Sequence, residues 1–382
     1  MKLQSFSSIL AIGLSLVARA ARNITHGEIE TNVAQGLRLL TLADNADPVW
    51  KTEEEKLELK KQRVPFFDVT YVYENQRNWT FTKSLATLTT YPPPSHTAQV
   101  KPILATLSIP NMQADLTTLT AFNNRYYATT TGVQASDWVL NRAKTIATGR
   151  ADITVTQFKH NFAQSSVIAR IAGATSPSGP VTIIGAHLDS INIANPVNGR
   201  APGADDDGTG TVNLMEAFRA LVAAGFKPST PLEFHWYAAE EAGLLGSQDI
   251  ATNYKMNGVQ VKAMIQFDMT GYFKPNTQEV ISLITDNVDA GLNAFLKLVI
   301  AAYNSIPADP LDDPCGYACS DHASWNSVGY PAAFPFEANF EAENYNPNIH
   351  TYHDTTEVAG FSWTHSLEFV KLAVAATYEL SA

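Results

Sequence analysis

Residues 181–190 read VTIIGAHLDS, a short apolar segment that runs directly into polar residues. Val181–Ile184 has the length and composition of a buried strand, and Gly185 follows it. His187 and Asp189 come just after this predicted strand. In an open α/β sheet, ligands bind beyond the carboxyl ends of the strands, so these two side chains are candidates for a functional site.

Two later segments repeat the arrangement of an apolar strand followed by acidic residues. Glu240 and Glu241 follow the predicted strand Leu232–Ala238, and Asp268 follows Val261–Phe267. Because the carboxyl ends of parallel strands lie at one edge of a sheet, we expect the three segments to bring their polar side chains together.

Strands and helices alternate throughout residues 91–382. The other predicted strands are Ile153–Phe158 and Ser166–Ile171. Hydrophobic periodicity predicts helices at Asp115–Tyr127, Gln134–Ala147, Thr211–Ala224, Gly291–Ala302 and Ser366–Glu379. The alternation predicts a single α/β domain with a mostly parallel, twisted central sheet that is flanked by helices.

Two loop segments add candidates to the expected edge, Gly203-Ala-Asp-Asp-Asp-Gly208 and Asn348-Ile-His350. Crowded carboxylates repel each other and are costly to bury, and the closest base in the sequence is Arg200. A divalent metal is therefore the simpler partner, and imidazole mixed with carboxylate suits zinc, or less often manganese or cobalt. Two histidines with several acids favour two metals that share a carboxylate.

Each motif also has a purely structural interpretation. Asp205–Asp207 is typical of a turn or cap, and Glu240–Glu241 of a solvated helix start. His235 and His353 are interpreted as structural histidines. The metal hypothesis therefore depends on the joint placement of the motifs at strand ends.

The charge balance differs between the two parts of the chain. The 382 residues include 37 acidic and 26 basic ones, for a formal net charge of −11. Residues 1–90 carry 11 basic and 10 acidic side chains (+1), and residues 91–382 carry 15 and 27 (−12). An acidic body is unsuited to a phosphate backbone, which argues against nucleic-acid binding. The content of 45% hydrophobic and 16% charged residues excludes a largely disordered chain.

The N-terminus has the features of a secretory signal peptide, assigned to residues 1–20. Lys2 precedes an apolar run of about ten residues, and Ala18-Arg19-Ala20 fits a cleavage site. The alternative, a membrane anchor, would need about 20 apolar residues, and no later stretch has that length and composition. We expect a secreted, extracellular protein that is not associated with a membrane.

Residues 21–90 are predicted to be a removable propeptide with an approximate boundary at residue 90. They contain the charged stretch Lys51–Arg63 and the N-glycosylation acceptors Asn23 and Asn78. Tyr91-Pro-Pro-Pro-Ser95 then makes a stiff break. The alternative is a small N-terminal domain that stays attached.

The chain has two cysteines, Cys315 and Cys319. In an oxidising compartment the default is one disulfide, which would shape a local loop. A metal-binding pair of thiols is the alternative.

Residues 91–382 resemble the zinc-dependent aminopeptidases of peptidase family M28, in particular the secreted leucyl aminopeptidases of fungi and their bacterial counterparts. The resemblance rests on six segments in the family's order: 185–190 (GAHLDS), 201–208 (APGADDDG), 237–249 (YAAEEAGLLGSQD), 266–270 (QFDMT), 315–325 (CGYACSDHASW) and 345–351 (YNPNIHT). It implies the zinc-dependent exopeptidase fold with one catalytic domain at 91–382.

The resemblance also implies metal ligands among the matching residues. Asp206 would bridge two zinc ions. His187 and Asp268 would complete the protein ligands of one ion, and Glu241 and His350 those of the other.

The remaining implied roles concern catalysis and substrate binding. Glu240 would be the general base, and Asp189 would orient the ring of His187. The family's pattern further implies a cis peptide bond between Asp206 and Asp207, a Cys315–Cys319 disulfide, a substrate contact from Tyr317, and a pocket for the N-terminal side chain at Met269, Phe336 and Ile349. Residues 336–346 are two longer than in the bacterial relatives, which leaves the places of Phe340 and Tyr345 open.

The expected function is extracellular hydrolysis of N-terminal residues, preferably leucine and other large apolar ones, from peptides with a free N-terminus, by a monomer with two zinc ions. Other members of the fold offer alternatives. A glutaminyl cyclase would bind one zinc, and a carboxypeptidase would need a cation for the substrate carboxylate, for which Arg200 is the candidate. A non-catalytic binding ectodomain is the third alternative.

Overall fold

The computed structural model describes residues 24–43, 46–62, 64–76 and 89–382. The predicted signal peptide and the predicted glycosylation sites at Asn23 and Asn78 lie outside these residues. Within them, no helix combines the length and the apolar composition needed to cross a membrane.

The described chain contains helices and short strands in mixed order. The strands are β1 (Leu37–Thr41), β2 (Val49–Thr52), β3 (Phe67–Asp68), β4 (Ile153–Phe158), β5 (Ser166–Ile171), β6 (Val181–His187), β7 (Leu232–Tyr237), β8 (Val261–Gln266), β9 (Ser282–Leu283), β10 (Ala332–Ala333) and β11 (Pro335–Phe336). The α-helices are α1 (His26–Ala34), α2 (Glu53–Lys61), α3 (Tyr73–Gln76), α4 (Thr97–Leu104), α5 (Ile109–Ala121), α6 (Thr130–Ile146), α7 (Gly210–Ala223), α8 (Leu245–Met256), α9 (Ala290–Tyr303), α10 (His322–Ser327) and α11 (Trp363–Ser381). A π-helical turn at Ala204–Thr209 leads into α7.

A six-stranded sheet with the order β10-β8-β6-β7-β5-β4 forms the centre of the molecule. β10, β8, β6 and β7 are parallel neighbours, whereas β5 and β4 add antiparallel pairs at one side. β6 and β7 are buried along their whole length, which is why their sequences read as apolar runs. The prediction of a mostly parallel sheet flanked by helices is confirmed.

Helices cover both faces of this sheet. On one face α7, α9 and α11 form the larger core, where Phe218 and Phe369 are fully buried. On the other face α8 and α10 bring Ile250 and Trp325 against Tyr237 of β7. Burial of each such side chain contributes about 1.5–3 kcal/mol to the free energy of folding. The packing on both faces therefore stabilises the strands whose ends carry the site.

One predicted helix is wrong in its bounds. The sequence predicted Asp115–Tyr127, but α5 spans Ile109–Ala121. Ser108 accepts a hydrogen bond from a backbone N–H of the first turn, and the proline next to the helix start fits that position, so the helix begins earlier. Tyr126 and Tyr127 lie in the following loop and are buried there. The other predicted helices and strands begin and end within four residues of the observed elements.

The described residues between 24 and 76, which we call the N-terminal segment, contain a separate three-stranded antiparallel sheet with the order β2-β1-β3. Ile24, Ile29 and Leu39 make a small core of its own. The segment docks on the loop that follows β7 and on α8: Asp68 N–H donates to the Gly243 carbonyl (3.3 Å), and Gln248 Nε2 donates to the Asp68 carbonyl (3.1 Å).

Candidate metal centre and its cavity

The predicted site residues come from five separate segments that meet at the carboxyl edge of the parallel strands. His187 is the last residue of β6, which runs three residues beyond the predicted end at Ile184, and Asp189 follows. Glu240 and Glu241 follow β7, and Asp268 follows β8. The π-helical turn supplies Asp206, and the loop before α11 supplies His350.

Two groups of three donors are close enough to hold a metal ion each. In one, His187, Asp206 and Asp268 offer atoms that lie within 4.8 Å of one another; in the other, Asp206, Glu241 and His350 do so. Asp206 belongs to both: its Oδ1 is 3.1 Å from His187 Nε2, and its Oδ2 is 3.0 Å from His350 Nε2. The structure thus brings together all five residues that the resemblance named as ligands, with Asp206 between the two groups.

The donor atoms fit a bound cation. Among the described residues, His187 Nε2, Asp268 Oδ1 and Glu241 Oε1 are buried without a hydrogen-bond partner. Burial disfavours the charged form of Asp206, yet the facing imidazoles of His350 and His187 hold its pKa well below the usual range. Imidazole and carboxylate donors at this spacing are the ligands that zinc prefers.

Glu240 lies beside these groups but belongs to neither. Burial raises its pKa well above the usual value, and the neighbouring Glu241 and Asp268 carboxylates add to the shift, whereas His187 and Lys60 oppose it. A carboxylate with a raised pKa is a stronger proton acceptor, as a general base requires.

Asp189 connects the two strand ends. Its two carboxylate oxygens accept hydrogen bonds from the backbone N–H groups of Glu240 (3.0 Å) and Glu241 (3.2 Å). Its Oδ1 is 3.5 Å from Nδ1 of His187, the ring that it is predicted to orient. Asp189 therefore fixes the start of the Glu240–Glu241 loop as well, a contact that the sequence did not predict.

The carboxylates around Asp206 hold the loop that carries it. Asp207, which is joined to Asp206 by the cis peptide bond that the resemblance implies, accepts hydrogen bonds from the backbone N–H groups of His187 (3.0 Å) and Met269 (3.2 Å). Asp354 accepts from the N–H groups of Asp205 and Asp206, both at 3.1 Å. Of the residues in this network, sequence analysis had singled out only the three consecutive aspartates, Asp205–Asp207.

Asn346 and Glu337 extend the network beneath the site, and sequence analysis did not assign a role to either. Asn346 Nδ2 donates to Asp205 Oδ2 and to Asp354 Oδ1, both at 3.1 Å. Glu337 accepts from the N–H of Asn346 (3.0 Å), and burial raises its pKa well above the usual value. These contacts tie the His350 loop to the Asp206 turn.

Arg125 supports the same turn from the loop after α5. Its buried guanidinium donates to the carbonyl oxygens of Leu188 (2.8 Å), Pro202 (2.5 Å) and Gly203 (2.9 Å). It therefore links the strand end that carries His187 to the turn that carries Asp206.

Arg125→Met is expected to lower the free energy of unfolding by about 3 kcal/mol or more, because three buried carbonyl groups each lose a hydrogen bond from the guanidinium. Urea unfolding would measure the change. Lys144→Met on the exposed side of α6 is the control and should stay within about 0.5 kcal/mol of the wild type. An unchanged midpoint for Arg125→Met would contradict the assignment.

A cavity of about 980 Å³ lies next to the two donor groups. Met269, Phe336 and Ile349 line it, as the resemblance implies, and so do Phe340 and Tyr345. Met269 is next to Asp268 and Ile349 next to His350, so the apolar wall adjoins both donor groups. The rings of Phe340 and Tyr345 stack with centres 5.0 Å apart, so the longer loop presents two aromatic side chains to the cavity.

The disulfide Cys315–Cys319 lines the cavity beside these rings, and the Tyr317 ring meets Phe340 edge-on with ring centres 6.3 Å apart. Tyr317 lies between the two cysteines, lines the cavity and is 39% exposed, so its ring is available to a bound molecule.

The histidines outside the donor groups have other surroundings. His235 is buried with its Nε2 2.9 Å from Glu233 Oε2. His353, at the wall of the cavity, packs its ring against Tyr352 with ring centres 3.8 Å apart. His322 packs against Phe334, and burial lowers its pKa to about 3, so it stays neutral. None of the three belongs to a described donor group.

A lysine from the N-terminal segment reaches the site, which sequence analysis did not foresee. Lys60 Nζ donates to the Glu241 carboxylate and, at 2.8 Å, to the Glu241 carbonyl oxygen. Burial disfavours its charge, but the Glu241 and Glu240 carboxylates outweigh this effect and keep the pKa above the usual value.

Comparison with known proteins gives a consistent result. The model of peptidase family M28 matches residues 166–376, a range that contains all six motif segments. Similar curated proteins include leucine aminopeptidase 1 of Arthroderma otae, which is 40% identical over 98% of this chain and 99% of the relative, and leucine aminopeptidase 1 of Ajellomyces dermatitidis, which is 42% identical over 98% of each.

Solved structures show the same similarity. The LapA aminopeptidase of Legionella pneumophila is 30% identical with a TM-score of 0.79, over 90% of this chain and 98% of that chain. A glutaminyl cyclase of Porphyromonas gingivalis, 16% identical with a TM-score of 0.58 over 70% of this chain and 96% of that chain, shares the fold.

Proposed function

Because this chain belongs to peptidase family M28, we propose that it removes N-terminal residues from peptides, leucine and other large apolar residues first, with two zinc ions and Glu240 as the general base. It is a zinc-dependent aminopeptidase of that family, with the family's α/β fold. The observation that carries the proposal is the pair of donor groups that share Asp206, with Glu240 beside them.

Each residue has a distinct task in the proposed mechanism. His187, Asp206 and Asp268 would hold one zinc ion, and Asp206, Glu241 and His350 the other. When bound, two zinc ions lower the pKa of a shared water and polarise the scissile carbonyl group.

Glu240 supplies the proton transfers. It takes a proton from the attacking water and later gives it to the leaving amine. Glu240 is placed for both steps, because it lines the cavity together with Asp206, Glu241 and Asp268. Asp189 positions Glu240 by holding its backbone N–H.

The cavity explains why the free N-terminus is required. Its metal end is lined by the carboxylates of Asp206, Glu240, Glu241 and Asp268, which favour a cationic amine. The apolar wall formed by Met269, Phe336, Phe340, Tyr345 and Ile349 suits a large apolar side chain next to that amine. The rival carboxypeptidase finds little support, because Arg200 donates to the backbone carbonyl groups of Thr120 and Phe122 and is not among the described lining residues.

Phe340→Ala is expected to reduce the preference for leucine over alanine at the N-terminus by about tenfold. The aromatic wall contributes apolar contact to each methylene of the substrate side chain, worth about 1–3 kcal/mol. The ratio of kcat/KM for leucyl and alanyl p-nitroanilides measures this. Leu298→Ala on the exposed side of α9 is the control, and an unchanged ratio in Phe340→Ala would exclude the residue from the pocket.

The cellular setting belongs to the same proposal. We infer a secreted, monomeric glycoprotein whose signal peptide (1–20) and propeptide (21–90, approximate) are removed, with Asn23 and Asn78 as glycosylation acceptors. Support for the propeptide is the position of the N-terminal segment, which lines one side of the cavity through Val64, Pro65 and Phe66. A segment in that position restricts access by a peptide.

The function is tested by hydrolysis of leucyl p-nitroanilide. We expect release of the free amino acid, loss of activity after treatment with a chelator, and recovery with zinc. A panel of aminoacyl substrates should give a graded preference for large apolar residues. Activity that persists in the metal-free protein, or cleavage only at a C-terminal residue, would contradict the proposal.

A further inference from the structure

Lys60 occupies a defined place in the N-terminal segment. It lies in α2, whose start is fixed by a capping box between Thr52 and Glu55. Lys56, one turn earlier on the same face, is buried and pairs with Asp68 (3.1 Å) and Glu53 (3.0 Å). The pair with Asp68 of β3 holds α2 against the rest of the segment, so Lys60 projects from a helix with a fixed position.

The segment docks on the loop that carries Glu241. Gly243, two residues after this predicted ligand, lies so close to the segment that a Cβ atom there would be 2.9 Å from Asp68 Cβ and 3.0 Å from Phe66 Cε2. Together with the hydrogen bonds of Asp68 to Gly243 and Gln248, this contact sets the distance between α2 and the donor groups.

The ammonium group of Lys60 occupies the oxygen of the Glu241 carboxylate that faces the other donors of its group. Glu241 Oε2 accepts from Lys60 Nζ, and the same oxygen is 3.1 Å from His350 Nε2 within the second donor group. A cation beside Lys60 would face its positive charge at contact distance in a buried place, where screening by solvent is weak. The other donor group shares only Asp206 with this one, and both described hydrogen bonds of Lys60 go to Glu241.

We propose that Lys60 is an internal cation that keeps zinc out of the Asp206–Glu241–His350 group while the N-terminal segment is attached, and leaves the His187–Asp206–Asp268 group free to bind one ion. The proposal rests on the proposed two-zinc function of this site. The uncut chain would then bind one zinc ion, and removal of the segment would free the second donor group for another ion. The segment thus controls the metal content as well as the access of substrate.

The test is zinc stoichiometry in the purified uncut chain, whose intact N-terminal segment is verified by mass spectrometry. Metal-free protein is titrated with zinc by calorimetry, and bound zinc is counted by elemental analysis after dialysis. Wild type and Lys61→Met should bind one zinc per chain; Lys61 is the matched control because it adjoins Lys60 but pairs with Glu58. Lys60→Met should bind two, and Lys60→Arg, which keeps the charge, should bind one.

Contrary outcomes separate the two proposals. Two zinc ions in the uncut wild type would overturn the role of Lys60 and leave the two-zinc site intact. One zinc in both wild type and Lys60→Met would also overturn it, and leucyl p-nitroanilide hydrolysis by the processed chain then tests the proposed function by itself.

If Lys60→Met does not fold, Lys60→Gln takes its place with the same expected stoichiometry. The double variant Lys60→Met/His350→Gln should return to one zinc, and two in that variant would overturn the assignment of the second ion.

Discussion

Replacing Glu240 by glutamine is expected to lower kcat by about 10³-fold while the zinc content stays at the wild-type level. The amide has the shape of the carboxylate but cannot accept a proton from water, and loss of a general base typically costs 10²–10⁴-fold in rate. Glu240 belongs to neither donor group, so the metal ligands are unchanged. KM should change little, because the interaction that is lost forms only during the reaction.

The measurement is steady-state hydrolysis of leucyl p-nitroanilide by the processed chain, with zinc counted in the same preparation. Glu357→Gln at an exposed position is the control and should keep full activity. A variant Glu240→Gln that turns over at the wild-type rate would exclude the proposed base. A variant that loses both activity and zinc would show that Glu240 acts on the metal centre instead.

The part of the site that follows the strand ends was predictable from the residues. Three apolar runs that end in His187, Glu241 and Asp268 belong to parallel neighbours β6, β7 and β8, and topology brings their ends to one edge. The carboxylates without nearby bases then indicated a metal. The residues alone did not single out Asp206 among the three consecutive aspartates; that assignment came from the resemblance to the family.

The contacts that hold the site in place were not predictable in the same way. Asp354 and Asn346 act on backbone N–H groups and side chains about 150 residues away in the sequence, and such bonds leave no periodic pattern. Lys60 belongs to a charged stretch that looks like an ordinary exposed helix, and only the docking of the N-terminal segment brings it to Glu241. Tertiary contacts decided these positions, whereas local patterns decided the strands.

The acid excess of residues 91–382 is explained in part by the proposed metal centre. That part of the chain has a formal charge of −12. Asp206, Glu241 and Asp268 contribute three of those charges, and two zinc ions would bring four positive charges, leaving about −8. In the uncut chain, we propose that Lys60 takes the position of the second zinc ion. Its ammonium group then balances the negative charge of Glu241 until the segment is removed and zinc binds.

Asp206→Asn is expected to remove most of the zinc from the processed chain and to lower kcat/KM by about 10³-fold or more. Asp206 is the one described residue in both donor groups, and its oxygens face His187 on one side and His350 on the other. The amide loses the negative charge that both cations need, so both groups weaken together. Asp268→Asn should weaken only one group and retain about one zinc per chain.

Elemental analysis of the dialysed proteins and zinc-dependent thermal unfolding measure this difference. Binding at one site with free zinc at 100 times the dissociation constant stabilises the folded chain by about 2.7 kcal/mol, so wild type should gain most from added zinc, Asp268→Asn less, and Asp206→Asn least. Asp312→Asn at an exposed position controls for the loss of a surface charge. The opposite result would contradict the assignment. If Asp206→Asn retains one tightly bound zinc while Asp268→Asn loses both, Asp268 is the ligand shared by the two ions, and Asp206 binds only one of them.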